Sequence, residues 1–358
     1  MPRAMRPEGE PAGGPLAGSL WVPHARLPVE EATELAWRQF GIEGSLTRLA
    51  TEQDDTFRID AADRRKYIIK VAGPAEDPAA LDLQIRLMRH VTRIDPRLPI
   101  PELIPNVAGK ALVEVIDRAG QVRRARMMSY LEGTCLDSTD SNAVERMRVG
   151  EALGRLRHAT AAFSHPADSR VLAWDVRHLP ALRDLIQYVA DEARQEMLQQ
   201  AMARYASLDA RLKQLRTQVL HNDFSKSNIL VDRGRPEFVT GIIDFGDAVR
   251  TAIGIDVATA LLNQLPRDQA AAPVSDLFAA GRDLLRGYLG VTDLSAEELQ
   301  LIPHLVMARV VARALITSYR AKVMPDNSTY ILRNTEQGWA QLEWFLEHSV
   351  ADLSAMLP

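Results

Sequence analysis

Asp223 stands five residues ahead of Asn228, and sixteen residues beyond that asparagine the segment Ile242-Ile243-Asp244-Phe245-Gly246-Asp247 brings two more acids. Phosphoryl transfer needs a carboxylate to orient the attacking hydroxyl and oxygen donors to hold a divalent cation on the phosphates. A polar loop running into a short hairpin can supply all of these. Asp223 would take the hydroxyl proton, and Asn228 and Asp244 would hold Mg²⁺. Each piece alone has an ordinary explanation, because an Asp in a polar loop is commonly a turn or cap, and an Asp-Phe-Gly strand end is commonly a hairpin shoulder. The conjunction is what points to chemistry, together with Lys70 in an earlier β-prone piece.

The neighbouring residues fit around that core. His221 is expected to orient the loop through its imidazole rather than to carry protons, since Asp223 already occupies the position of a base. Asn222 suits a positive φ better than any other non-glycine residue. Lys226 is read either as a solvated loop lysine or as extra positive charge near the transferred group, and Asp247 either as a brace for the metal loop or as a partner for a cationic substrate. Arg309, Arg313 and Arg320 share one helix face. Such a stripe is usually solvated, but one of these arginines entering a cleft would fork a substrate carboxylate. The five tryptophans, Trp339 and Trp344 among them, are expected to pack cores rather than to cage a cation.

The elements that must position these residues follow from periodicity. Apolar spacing predicts a helix over 27–40 stopped by Gly41, short strands at 46–50, 56–59 and 67–71, a helix over 78–92, and strands at 111–116 and 124–130. After a link at 131–139 the pattern is almost purely helical. Asn142 with Glu145 forms a capping signal for a helix to about 163. One or two helices follow over 179–215, then a β interlude at 229–232 and 238–243. Helices near 256–265, 274–288, 296–322 and 330–346 complete the chain, the third opened by Ser295 with Glu298. The fold class is therefore α+β, with a small antiparallel-sheet lobe over 19–130 and a larger helical lobe over 131–358. Residues 1–18, with four Pro and four Gly, read as a flexible tail.

The pattern H-x-D-x-x-x-x-N followed by I-D-F-G-D resembles the aminoglycoside phosphotransferase and choline kinase superfamily, a branch of the two-lobed protein-kinase-like fold. Within it the likeness is to the hydroxylysine kinases. That narrower likeness rests on 67–71, Leu81-Asp82-Leu83-Gln84 with Leu87-Met88, Met128-Ser129-Tyr130-Leu131-Glu132-Gly133, the doubled acid of Asp244 and Asp247, and Tyr319, Pro325, Asn327, Tyr330, Gly338 and Trp339. It covers about 27–346. The resemblance implies that Lys70 contacts the nucleotide phosphates and pairs with an acid on the next helix. Asp82 is the candidate partner, with Glu76 and Asp77 nearby. It also implies a hinge at 128–133, including Met128 and Tyr130, that binds a purine through backbone groups. The segment 50–57 would cover the phosphates with backbone amides although it has no glycine; taken alone it is equally a plain hairpin turn. The implied reaction moves a γ-phosphoryl group from Mg²⁺-bound ATP or GTP to a small-molecule hydroxyl. A hydroxylated amino acid such as 5-hydroxylysine is the implied acceptor, and the local reading offers Asp247, Arg309 and Arg313 as its candidate contacts. Aminoglycosides, choline, homoserine and sugars are the rivals within the superfamily. An inert nucleotide-binding module is the rival from another class, for which loss of Lys70, Asp223, Asn228 or Asp244 would be expected, and none is lost.

Composition bounds the partners. Hydrophobic residues make up 46% of 358 and charged residues 25%, as in a globular chain, and the net charge of −4 gives no field for a nucleic-acid backbone. The single Cys135 excludes an internal disulfide and a cysteine-rich metal centre and fits a cytoplasmic setting. No membrane span is expected, since even 301–319 is broken by His304, Arg309 and Arg313. A homodimer is admissible on these grounds.

Overall fold

The computed structural model describes residues 24–51, 54–266, 275–325, 328–332 and 335–358. The tail expected at 1–18, part of the 50–57 turn expected to cover the phosphates, and Asn327 lie outside the described residues. Helix α1 (Val29–Phe40) buries Ala32, Leu35, Ala36 and Phe40 and ends at Gly41, whose φ of 66° supplies the left-handed cap that stops it. Strands β1 (Gly44–Leu49), β2 (Asp55–Ala61) and β3 (Lys66–Val71) form an antiparallel meander. Helix α2 (Pro78–Ile94) follows, with the Asp77 carboxylate accepting from the Ala79 amide at its start. Strands β4 (Leu103–Ile104), β5 (Val113–Ile116) and β6 (Val122–Ser129) complete the sheet, β6 lying beside β3 and pairing with both β4 and β5. The two-residue β4 was not foreseen, because it sits among prolines.

Alternation gives this sheet two different faces. Tyr67, Ile69 and Val71 of β3 and Ala125 and Met127 of β6 join α1 in one core. Ile68 and Met128, which are cross-strand partners, face the other way and pack with α2 and the helical lobe. Lys70 and Arg126 are the next pair on that second face. The sheet therefore keeps its apolar residues on both sides of this strand pair and turns two cations toward the junction of the lobes.

Beyond β7 (Thr134–Cys135), helix α3 (Ala143–Thr160) opens with the reciprocal Asn142–Glu145 cap. The expected helix after 179 is a long 3-10 segment, Val176–Tyr188. Pro180 inside it removes an amide and crowds the preceding turn, so an α-helix forms only from α4 (Glu192–Ser207), with α5 (Asp209–Leu212) after it. Strand β8 (Thr217–Leu220) leads into the acidic loop, β9 (Ile229–Val231) and β10 (Val239–Ile242) form the hairpin, and β11 (Val249–Ala252) leaves it. β11 pairs with β8, so the two loops start and finish on one short ladder. Helices α6 (Ile253–Leu262), α7 (Ala279–Leu289), α8 (Ala296–Val323), α9 (Ser328–Leu332), α10 (Glu336–Glu347) and α11 (Val350–Ser354) complete the lobe, so the helix expected at 330–346 is two shorter ones. α8 is long and apolar enough to cross a membrane by length and composition, but 83% of its apolar window is buried inside the protein. It is the axis of the larger core.

Candidate active site

His221 leaves β8 and ties the two acidic loops together. Its Nε2 bonds the Ile243 carbonyl oxygen at 3.0 Å, and its Nδ1 accepts from the Asp223 amide at 3.3 Å, so the ring bridges the two loops through both nitrogens. The ring packs 4.8 Å from Phe245. Asn222 adopts φ 62°, and its amide donates to the buried Asp256 carboxylate on α6 at 2.8 Å. This anchor turns the chain sharply enough to bring Asp223 out over the junction of the lobes.

Asp223 Oδ2 accepts from Asn228 Nδ2 at 2.7 Å, and the same nitrogen reaches the Asp223 carbonyl at 3.0 Å. The amide nitrogen is thus committed, which leaves Asn228 Oδ1 as an acceptor. The Ile243 amide donates to the Asn228 carbonyl at 2.9 Å, so the backbone of one loop carries the other. Next to it Asp244 sits at φ 63°, a left-handed conformation that costs a non-glycine residue energy and is held here by the surrounding loop. Its Oδ1 lies 3.1 Å from Lys70 Nζ. That ammonium, against the opposing effect of burial, holds the Asp244 carboxyl down at about 2. Asp247 behaves oppositely: burial first, then the charge of Asp223, lifts its carboxyl to about 6. Asp223 is itself pushed up by burial and by Asp244, although Arg309 and the Asn228 bond pull it down.

The lysine's partner corrects the sequence expectation. Asp82 does not meet Lys70. It pairs with Arg86 at 2.8 Å one helical turn on and with His165 Nε2 at 3.0 Å. The side of α2 that faces the sheet instead presents Gln84, whose Oε1 accepts from Arg126 at 3.1 Å. Of the residues expected to form a hinge, Met128 is buried against the larger core, and the Tyr130 amide donates to the Lys66 carbonyl at 3.2 Å. That donor is already engaged within the sheet.

The arginine stripe of α8 is not solvated. Arg309 is 5% exposed, donates to the Trp174 carbonyl oxygen, lies over the Trp174 ring at 5.5 Å, and brings Nη2 to 3.9 Å from Asp223 Oδ1. Arg320 takes the same indole at 5.8 Å. Arg313 points elsewhere, donating to Gln341 Oε1 on α10 at 3.1 Å, and burial, with Arg309 adding to it, lowers its guanidinium to about 10. Trp339 and Trp344 are core residues as expected, but Trp37 is largely exposed and Trp174 lies against the two guanidiniums, so the expectation of core packing fails for those two.

Two groups escaped the sequence reading. Arg170 donates through Nε and Nη2 to the Ala248 carbonyl at 3.1 and 3.0 Å and through Nη2 to the Gly246 carbonyl, and so grips the acidic loop from behind. Trp174 forms the stacking surface for Arg309. Both lie in 164–175, a stretch without helical or strand period, fastened to β11 by the Arg250–Asp168 pair at 2.8 Å and by the Thr251 hydroxyl on Asp175 at 2.9 Å. Period-based reading has nothing to register there.

No group of three or more His, Cys, Asp or Glu able to hold a metal occurs among the described residues. The available set is one ionised carboxylate and one amide oxygen. That set suits a hard cation that completes its shell with phosphate and water oxygens, as Mg²⁺ does on nucleotides.

This architecture has counterparts. Over 87% of this chain and 93% of the other, it superposes with a TM-score of 0.67 and 17% identity on an amicoumacin kinase solved with AMP-PNP, Ca²⁺ and Ami. In sequence it is 20% identical to a hydroxylysine kinase of Xenopus laevis over 88% of this chain and 89% of that one. It is 26% identical to a homoserine kinase of Chelativorans sp. (strain BNC1) over 73% and 76%. The model of the phosphotransferase enzyme family matches residues 45–292, a span that runs from β1 through both acidic loops to the end of α7. A two-lobed sheet-and-helix fold, a lysine facing an acidic loop across the lobes and a match over more than half of the chain agree, and the chain belongs to the phosphotransferase enzyme family.

Proposed function

We propose that this phosphotransferase moves the γ-phosphoryl group of ATP or GTP to the hydroxyl of a hydroxylated amino acid, 5-hydroxylysine being the first candidate. The observation that carries this reading is the 3.9 Å approach of Arg309 to Asp223. A guanidinium whose side chain is only 6% exposed, set beside the carboxylate that would receive the hydroxyl, suits an acceptor bearing a carboxylate of its own. It opposes a polycationic aminoglycoside, which needs acids in that position. Asp247 is the complementary group for the acceptor's ammonium. The names of the hydroxylysine and homoserine kinases among the relatives support the same acceptor class.

In this reading Asp223 orients the hydroxyl and takes its proton as the new O–P bond forms and the bond from the γ-phosphorus to the bridging oxygen breaks. Asn228 and Asp244 would hold Mg²⁺, which neutralises charge on the phosphates. Lys70 sets Asp244 in its ionised form and reaches toward the phosphates. A cytoplasmic setting supplies the donor and suits the free thiol of Cys135. The test is a nucleoside diphosphate release screen, run with ATP and GTP separately, across 5-hydroxylysine, homoserine, choline, amino alcohols and aminoglycosides. Release with a hydroxylated amino acid is the expected result. Release only with an aminoglycoside or choline would overturn the acceptor class.

A further inference from the structure

Arg126 faces Lys70 across the β3–β6 ladder and leaves the sheet on the same side. It is 4% exposed. Its Nη2 donates to Asp54 Oδ2 at 2.9 Å and to Gln84 Oε1 at 3.1 Å, while Nη1 is buried and has no hydrogen-bond partner among the described residues. Leaving such a donor unpaired is costly, so a buried half-used guanidinium calls for a ligand. Its location names the kind. The fork stands beside the lysine that pairs with Asp244. Asp54 belongs to the β1–β2 turn, whose Thr51 and Asp54 carbonyls are held by the Arg26 guanidinium at 3.3 and 3.1 Å. A carboxylate and a phosphate each offer a pair of acceptor oxygens that the planar fork of arginine can take bidentately.

We propose that Arg126 is a second phosphate-binding cation beside Lys70, and that it exchanges the Asp54 carboxylate for phosphate oxygens of the nucleoside triphosphate. The proposal rests on the nucleotide-donor reading above. It explains how a covering turn without glycine can still bind polyphosphate: the charge comes from the sheet beneath the turn rather than from closely approaching amides. It also gives Gln84 a role, since a neutral acceptor on α2 orients the guanidinium without competing for its charge. The competing reading is a strut, in which Arg126 only ties the turn to α2.

The test is calorimetric titration of the full chain with Mg²⁺ and AMP-PNP or GMP-PNP, beside the matching nucleosides, with melting temperatures recorded for each variant. Arg126→Gln should weaken triphosphate binding by about 10- to 100-fold, the effect of losing a charge-assisted bond, and leave nucleoside affinity within about twofold. Arg126→Lys should fall between the two. Asp54→Asn, which keeps the arginine and removes the competing charge, should tighten triphosphate binding and leave nucleoside binding alone. Unchanged triphosphate affinity in Arg126→Gln, or equal loss of nucleoside and triphosphate, would establish the strut and overturn the proposal. So would weakened triphosphate binding in Asp54→Asn, a result that stands even if the arginine variants do not fold. A wild type that binds neither triphosphate removes the donor reading itself, and this proposal with it.

Discussion

Lys70 Nζ and Asp244 Oδ1, 3.1 Å apart, form an ion pair that joins the sheet lobe to the acidic loop of the helical lobe. The lysine is 12% exposed in its side chain and the aspartate 43%, so the cation is fixed by the sheet while the carboxylate keeps one open side. Lys70 engages Oδ1, and in the proposed reading Oδ2 is the oxygen that would meet a cation on the nucleotide. The pair keeps Asp244 charged far below neutral pH, so that a hard metal bound there in the proposed reading would meet an ionised ligand.

Activity is therefore expected to require a divalent cation, and excess chelator to remove it. Asp244→Ala should abolish turnover more completely than Asn228→Ala. A carboxylate neutralises phosphate charge, whereas water can replace an amide oxygen in the shell. Steady-state rates with Mg²⁺ titrated into each variant check the order. Full activity in chelator would exclude the mechanism.

Asp223→Asn should lower turnover by roughly 10²- to 10⁴-fold while nucleotide affinity holds. The fold should tolerate the change, because the new amide oxygen can still accept the bond that Asn228 Nδ2 now gives to Oδ2. A melting temperature within a few degrees of wild type, measured beside turnover, separates lost chemistry from lost structure. Near-wild-type turnover would remove Asp223 from its role.

How far the sequence reached depends on the kind of signal. The positive φ that Asn222 tolerates is local, set by residue type, and was readable, whereas spacing gave Asp223 and Asn228 separate roles and not the hydrogen bond that joins them. The partner of Lys70 was not readable either, because the choice between Asp82 and Asp244 depends on which face α2 turns to the sheet and on where a loop 174 residues away arrives. Arg126 shows the same limit. Its strand was predicted, and alternation sets it opposite Ala125 and Met127, yet only the register with β3 brings it beside Lys70. The β8–β11 ladder escaped notice because four-residue strands flanking polar loops carry too few alternations to register.

A separate prediction concerns stability. His304 on α8 is fully buried, bonds the Ser354 hydroxyl at 3.0 Å, and burial lowers its imidazole from 6.5 to about 4, with Arg204 and Arg211 adding to the shift. The folded state binds this proton less well than the unfolded chain. Its neutral form thus costs nothing above pH 6.5, stability falls as the pH drops from 6.5 to about 4, and below that the loss levels off. The full effect is about 3 kcal/mol at most. Denaturant unfolding across that range, in wild type and in His304→Gln, should show a flatter pH slope in the variant even if it is less stable at pH 8. Equal slopes would refute the assignment.

The last prediction tests the acceptor. A free hydroxylated α-amino acid should be phosphorylated better than its decarboxylated amino alcohol, because Arg309 sits desolvated over Trp174 and beside Asp223. Deleting the substrate carboxylate leaves that guanidinium short of a partner and costs about 2 to 4 kcal/mol, which lowers kcat/KM by roughly 30- to 1000-fold. In the proposed reading Arg309, and not Arg313, is the arginine expected to meet the carboxylate. Arg313 is committed to Gln341, so Arg309→Ala should erase most of the preference between the two compounds, whereas Arg313→Ala should leave the ratio near that of wild type. The ratio matters more than the absolute rate, since removing Arg309 also changes the surroundings of Asp223 and lowers turnover of both compounds. Measuring 5-hydroxylysine and homoserine beside their amino alcohols in all three proteins gives that ratio directly. If the wild type uses acid and alcohol equally, or if Arg313→Ala alone removes the preference, the carboxylate is not read by Arg309, and the acceptor must be sought among hydroxyl compounds without one.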